Sequence, residues 1–459
     1  MSFCKSYLTF WARIYIIYAE ERKVYRYKIE ELKKWKESED RKPLIITGAR
    51  QVGKTWLMKE FGKNYYEKCA YINFEDNNRM QQLFSEGFNI DRIIHGLKME
   101  ARTNIEPGKT LIIFDEIQEN PKALNALKYF YEQSNEYHIV AAGSLLGLAI
   151  HEGKSFPVGK VDFLNLYPLS FYEFLWALGE TDLVKLIKSG DINLINASAD
   201  KLKSYLKQYI YIGGMPQIVN LYAKNRDLEE VRRKQEILLE SYGQDFSKHA
   251  PNNLIPKIRQ IWNNIPTQLA KENKEIINSF GGEVAKVEEY ETALSWLIDC
   301  GLVYQVNRVN DCKVPLSAYK DFNAFKLYLF DVGLLCAMAN IDAKIILEGN
   351  DIFIDFEGAL TEQLVVNELK NNITQEVFYW SETEDKKEAT YVIQLDGNNI
   401  PIEVKPNEKT ELSGLKAFIE KYNTNINIRT SMDDYKKEDW FINVPLYLIG
   451  NLKEILKEK

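Results

Sequence analysis

The run Gly48-Ala49-Arg50-Gln51-Val52-Gly53-Lys54-Thr55 places two glycines, a lysine and a hydroxyl at the spacing that polyphosphate binding demands. Glycines permit backbone angles and close approaches that side chains would block, so successive N–H groups can surround phosphate oxygens. Lys54 offers a compact charge to the β- and γ-phosphates, and the Thr55 hydroxyl is a suitable ligand for Mg²⁺. A second chemical element is TLIIFDEIQ, an apolar run that ends in Asp115 and Glu116. At the carboxyl edge of a buried parallel strand, Asp115 can hold the hydration shell of the metal while Glu116 polarises an attacking water. Ser144, at the end of HIVAAGS, is a third candidate, placed to sense a γ-phosphate or orient that water; a Gly-Ser turn accounts for it equally well. The expected ligands are ATP and Mg²⁺, with Lys54, Glu116 and Ser144 as catalytic candidates and Thr55 and Asp115 on the metal.

These residues need a scaffold that brings two strand ends together. From Lys42 to about Leu169, short apolar runs alternate with helical patterns, the signature of a parallel sheet flanked by helices. Strands are expected at Leu44–Thr47, Ala70–Phe74, Leu111–Phe114, Ile139–Ala142 and Val161–Leu166, and runs such as LIIF are apolar on both faces, as central parallel strands must be. Helices fall at Trp56–Phe61, Arg92–Arg102 and Ala123–Gln133, the last announced by Asn120-Pro121. The glycine loop therefore lies between a strand and a helix, and the acid pair ends a later strand; a plain glycine turn or helix-capping acids explain this order less well. HIVAAGS is expected between the two phosphate-site strands in the sheet. Beyond Phe171, amphipathic helices over Ser204–Tyr222 and Leu228–Phe246 read as a lid. ETALSWLIDCGLVYQVNRV then runs a helix through Gly301 into an alternating strand, a weak winged-helix pattern. Further strands are expected at Lys326–Phe330, Glu376–Trp380, Thr390–Leu395, Ile400–Val404 and Val444–Ile449.

Composition narrows the classes. With 45% apolar and 27% charged residues the chain is globular, and at 459 residues it needs more than one core. A net charge of −7 excludes a protein that coats nucleic acid by overall charge. The five cysteines are scattered and lack CxxC pairs, which reads as reduced thiols in a cytoplasmic protein. Tyr7–Ala19 is apolar and aromatic but interrupted by Arg13, and it falls short of the roughly 20 residues that span a bilayer, so no membrane partner is expected. The four histidines show no ligand spacing, and Gly213-Gly214-Met215-Pro216 reads as a sharp turn between lid helices.

Taken in order, GARQVGKT, LIIFDEIQ, VAAGSLL and LYPLSFYEF, followed by YIGGMPQIV, KLYLFDVGLL, ALTEQLVVNEL, IPIEVK and VPLYLI, resemble the AAA+ ATPases of bacteria and archaea that carry a carboxyl-terminal domain of unknown function. The resemblance covers the chain from about Tyr25 onward. It implies an α/β protein divided as an amino-terminal extension (1–40), a P-loop ATPase core (41–175), a helical lid (176–250), a winged-helix-like region (251–312) and a nuclease-like α/β domain (313–459). Where such proteins show Gly-Arg ahead of the Pro-Leu-Ser segment, this chain has Gly159-Lys160, which leaves an arginine finger unassigned. The last domain resembles PD-(D/E)XK nucleases, with Glu362 on the helix and Glu403 and Lys405 on a strand, but Thr390 stands where the acid is expected, and Glu388 is the candidate substitute.

The leading expectation is an Mg²⁺-dependent ATPase that rearranges a nucleic-acid-binding carboxyl-terminal region, with DNA or RNA as partner and a homo-oligomer as an open assembly state. The alternatives are a metal-dependent nuclease regulated by ATP and a non-hydrolysing nucleotide switch.

Overall fold

The computed structural model describes residues 25–143, 157–269, 284–348, 354–373, 375–382, 387–405 and 412–457. Ser144 and the apolar stretch Tyr7–Ala19 lie outside the described residues. Among the described residues no helix is long and apolar enough to cross a membrane.

The first sheet contains β1 (Leu44–Thr47), β2 (Lys68–Asn73), β3 (Thr110–Asp115), β4 (His138–Ala142) and β5 (Asp162–Asn165) in the order β2-β3-β4-β1-β5. Every pairing is parallel, and β4 separates β1 from β3 as expected. The sheet forms because its strands are apolar on alternate positions facing both ways. Ile46, Ile113 and Val140 pack with Leu57, Met58 and Phe61 on one face. Ile45, Ile112 and Phe114 pack with Ile93, Leu97 and Phe130 on the other. Asn120 caps the helix Pro121–Gln133 by accepting the Ala123 N–H, with Pro121 in the first turn where its missing N–H costs nothing.

The second sheet comprises β6 (Val303–Val309), β7 (Lys320–Leu329), β8 (Val377–Ser381), β9 (Glu388–Leu395), β10 (Asn398–Val404), β11 (Ile428–Ser431), β12 (Lys436–Lys437) and β13 (Ile442–Pro445). Its order is β12-β13-β11-β10-β9-β8-β6-β7, with mixed parallel and antiparallel pairs. The β9–β10 hairpin turns at Asp396-Gly397, both with positive φ, as a tight two-residue turn between right-twisted strands requires. The strand expected at Val444–Ile449 is corrected: β13 stops at Pro445, which lacks an N–H, and Leu446–Asn451 forms a 3₁₀ turn that buries Leu446, Tyr447, Leu448 and Ile449 together. β6, from the middle region, pairs in parallel with β8, so residue 312 falls in the connection of a hairpin shared with the carboxyl-terminal strands.

Helices Ala199–Ile212, Pro216–Asn225 and Leu228–His249 stand between the two sheets in the sequence. The Gly213-Gly214 turn is more than a connection. A Cβ on Gly214 would overlap the Leu169 carbonyl oxygen, and Leu169 N–H donates to the Gly214 carbonyl at 2.7 Å. Asp331, just after β7, accepts the Gly214 N–H at 2.7 Å and the Leu334 N–H at 2.9 Å. Burial pushes its carboxyl up to about 6, opposed by backbone N–H donors. A second tie runs from helix Ile354–Asn372, where Glu368 accepts the Phe171 N–H at 2.8 Å at the start of helix Phe171–Ala177. Beside it, Glu173 closes a capping box with Ser170 and pairs with the buried Arg26 at 3.6 Å.

Candidate functional site

The loop between β1 and the helix Lys54–Tyr65 has the shape its glycines were expected to allow. Gly48 has φ 137° and Gly53 φ 97°. A Cβ on Gly48 would collide with the Leu166 carbonyl oxygen, so only glycine lets the strand end turn there. Gly53 immediately precedes the helix, whose first N–H groups and dipole point toward the loop. Val52 is buried and anchors the loop, while the Lys54 amine donates to the Gly48 and Ala49 carbonyls, both at 2.8 Å. Burial draws the Lys54 amine down to about 8, and the nearby Glu116 and Asp115 carboxylates oppose that shift, so the charge persists at neutral pH.

The two halves of the expected metal site meet. Thr55 Oγ1 donates to Asp115 Oδ2 at 2.7 Å, and Tyr71 donates to the same oxygen at 2.9 Å. Tyr71 was not singled out from sequence; it lies on β2, whose register places Asn73 beside Asp115. Glu116 occupies the left-handed region at φ 50°, which turns the chain sharply off β3, and its carboxylate accepts the Gln118 amide at 2.6 Å. This donor set fits a hard cation on a triphosphate: a hydroxyl and a carboxylate on one side, an ammonium on the other, and a backbone loop shaped by glycine between them.

The loop is also contacted from afar. Arg50 pairs with Asp245 on helix Leu228–His249, and Tyr242 of that helix donates to the Arg50 carbonyl at 2.9 Å. Gln51 bonds Gln217, and Gly301 packs so closely on Ala49 that a Cβ there would lie 3.1 Å from its nitrogen. Nothing local in the sequence foretells these partners; Tyr242 and Asp245 are separated by 192 and 195 residues from Arg50, and Gln217 by 166 from Gln51. Lys160, noted as the residue in the Gly-Arg position, pairs with Glu132 at 3.0 Å.

The carboxyl-terminal candidates share one neighbourhood without converging. Glu362 accepts the Tyr328 hydroxyl at 2.9 Å, and its own carbonyl accepts Tyr391. Glu388 is engaged by the buried Lys326. Glu403 pairs with Lys405 at 3.0 Å; burial pushes its carboxyl up, Lys405 opposes this, and Glu388 adds repulsion. Thr390 accepts the Val404 N–H at 3.2 Å, a structural bond across β9–β10. Among the described residues no group of three or more His, Cys, Asp or Glu could hold a metal ion. Lys326 and Lys405 pair with two of the three candidate carboxylates, Glu388 and Glu403.

The model of a family described as an AAA domain matches residues 40–175, and models of two domains of unknown function, DUF8612 and DUF4143, match residues 203–345 and 357–449. No curated protein matches the chain. Among solved structures, the chain is similar to the ORC1 protein of Aeropyrum pernix in complex with DNA, at 13% identity over 69% of this chain and 93% of that one, with a TM-score of 0.27. It is also similar to the RuvB Holliday junction branch migration motor of Thermotoga maritima, at 15% identity over 63% and 88%, TM-score 0.28. AMPPCP-bound DnaA from Aquifex aeolicus aligns at 14% identity over 57% and 74%, TM-score 0.22.

Proposed function

We propose that this chain, whose residues 40–175 form an AAA-type P-loop domain, binds ATP with Mg²⁺ and hydrolyses it. The observation that carries the reading is the 2.7 Å contact from Thr55 to Asp115, which joins the phosphate loop to the acidic strand end. Gly48 to Thr55 hold the polyphosphate, and Lys54 contributes a charged amine kept ionised by Asp115 and Glu116. Thr55 and Asp115 would hold Mg²⁺, which, when bound, neutralises charge on the phosphates as a Lewis acid. Glu116 orients the attacking water and receives its proton on a carboxylate oxygen, while Gln118 fixes the direction of that carboxylate.

Turnover is coupled to the second sheet through Asp331 and Glu368, which tie it to the Gly214 turn and to the helix at Phe171. We assign DNA or RNA as the target of that movement on the family resemblance, with assembly into a homo-oligomer. In this reading Glu116→Gln retains Mg·ATP binding and loses phosphate release by a factor of about 10² or more, since one positioned base is removed. Wild-type turnover by Glu116→Gln would rule out Glu116 as the base. Stimulation of turnover by single- or double-stranded DNA or RNA tests the target.

A further inference from the structure

The phosphate loop contains a residue that cannot hold its conformation cheaply. Gln51 has φ 65°, in the left-handed region, where a side chain with a Cβ is disfavoured. Such a conformation persists only when its surroundings determine it. Val52 is fixed from below by burial, but Ala49, Arg50 and Gln51 are contacted from above by residues far along the chain.

The contacts converge from one helix and its neighbours. Tyr242, itself 1% exposed, directs its hydroxyl to the Arg50 carbonyl at 2.9 Å. One helical turn on, Asp245 pairs with the Arg50 guanidinium, so both ends of this residue are held by a single helix face. Gln217 reaches the Gln51 side chain, and the Pro216 ring sits close enough to Gly53 that a Cβ there would lie 3.6 Å from it. The Tyr242 ring is in turn set by Phe330, edge to face at 5.6 Å and 90°, next to the buried Asp331. The helix thus has fixed side chains with which to fix the loop.

We propose that Tyr242 and Asp245 are positioning residues for the phosphate loop: they clamp Arg50 by its carbonyl and its guanidinium, and so hold Gln51 in the left-handed turn that lets the loop receive a triphosphate. This rests on the ATP-binding reading for its ligand, but the clamp itself is a property of the loop. Neither residue touches the phosphates in this role. A loop that must be ordered at the moment of binding loses affinity, whereas one held in place beforehand does not.

The test uses the full chain and three variants. Tyr242→Phe removes only a hydroxyl, Asp245→Ala removes the partner charge, and Asp245→Glu restores it. Amide hydrogen exchange of residues 49–53 is followed without nucleotide, and Mg·ATP binding by calorimetry. The clamp predicts faster exchange in the loop for Tyr242→Phe and Asp245→Ala and a dissociation constant for Mg·ATP raised about three- to ten-fold, the range of one lost hydrogen bond. Asp245→Glu is expected to recover most of both, which general destabilisation would not do. Wild-type exchange and wild-type affinity in Tyr242→Phe and Asp245→Ala overturn the proposal. Accelerated exchange in a protein that binds no ATP even as wild type would uphold the clamp and reject the nucleotide reading.

Discussion

Replacing Glu368 by Gln should stabilise the protein, and only at high pH. The carboxyl is buried, accepts the Phe171 N–H at 2.8 Å, and lies near Glu173. Burial is the largest influence on it and pushes it from 4.5 up to about 7. Because the folded value exceeds the unfolded one, the native state binds the proton more tightly, and stability is lost as pH rises through the window from about 4.5 to 7. The 2.5-unit difference between 7 and 4.5 corresponds to about 3 kcal/mol at pH values above the window, at 1.36 kcal/mol per unit. A glutamine keeps an oxygen for the Phe171 N–H but brings an NH₂ that needs an acceptor, which costs about 1 kcal/mol. Glu368→Gln is therefore expected to gain about 2 kcal/mol at pH 8.5, and to be neutral or about 1 kcal/mol less stable at pH 5. Urea unfolding followed by tryptophan fluorescence at the two pH values reads the difference directly. An equal effect at both pH values would refute the assignment of a buried carboxylate whose charge opposes docking of helix Ile354–Asn372 against the start of helix Phe171–Ala177.

Asp331→Ala removes a helix cap and leaves the Gly214 N–H without its acceptor, so the urea midpoint should fall by the equivalent of about 2–4 kcal/mol, with Asp331→Asn losing less. Glu403→Gln should leave Mn²⁺ uptake of the full chain unchanged by calorimetry, since Glu403 is paired with Lys405 and its neighbour Glu388 with Lys326; loss of a bound ion would support the metal-dependent nuclease reading.

The sequence announced what is local. GARQVGKT between a strand and a helix, and LIIFDE at the end of a buried strand, determine their own surroundings within a few residues, and the Thr55–Asp115 contact follows from the parallel order of β1, β4 and β3. The Asn120-Pro121 helix start is equally local. What stayed hidden depends on distant pairing. Tyr242 and Asp245 read as ordinary residues of an amphipathic helix, because their role exists only once that helix is laid on the loop. Gly214 reads only as part of a sharp turn, and its bond to Asp331 spans 117 residues. VPLYLI reads as a strand because it is a short apolar run, yet Pro445 ends the pairing and the following side chains are buried in a 3₁₀ turn. Around the second sheet, the resemblance to nucleases implies a metal site of Glu362, Glu388, Glu403 and Lys405, but it cannot tell whether a lysine such as Lys326 will arrive from another strand to pair with a carboxylate.

Calorimetric titration of the full chain with Mg·ATP, in parallel with Lys54→Ala, tests the central claim most directly. The account predicts saturable one-site binding by the wild type and a loss of about 10-fold or more in affinity for the variant, because a buried ammonium that faces the phosphates is removed. No uptake by the wild type, or equal affinity in the two proteins, would contradict it.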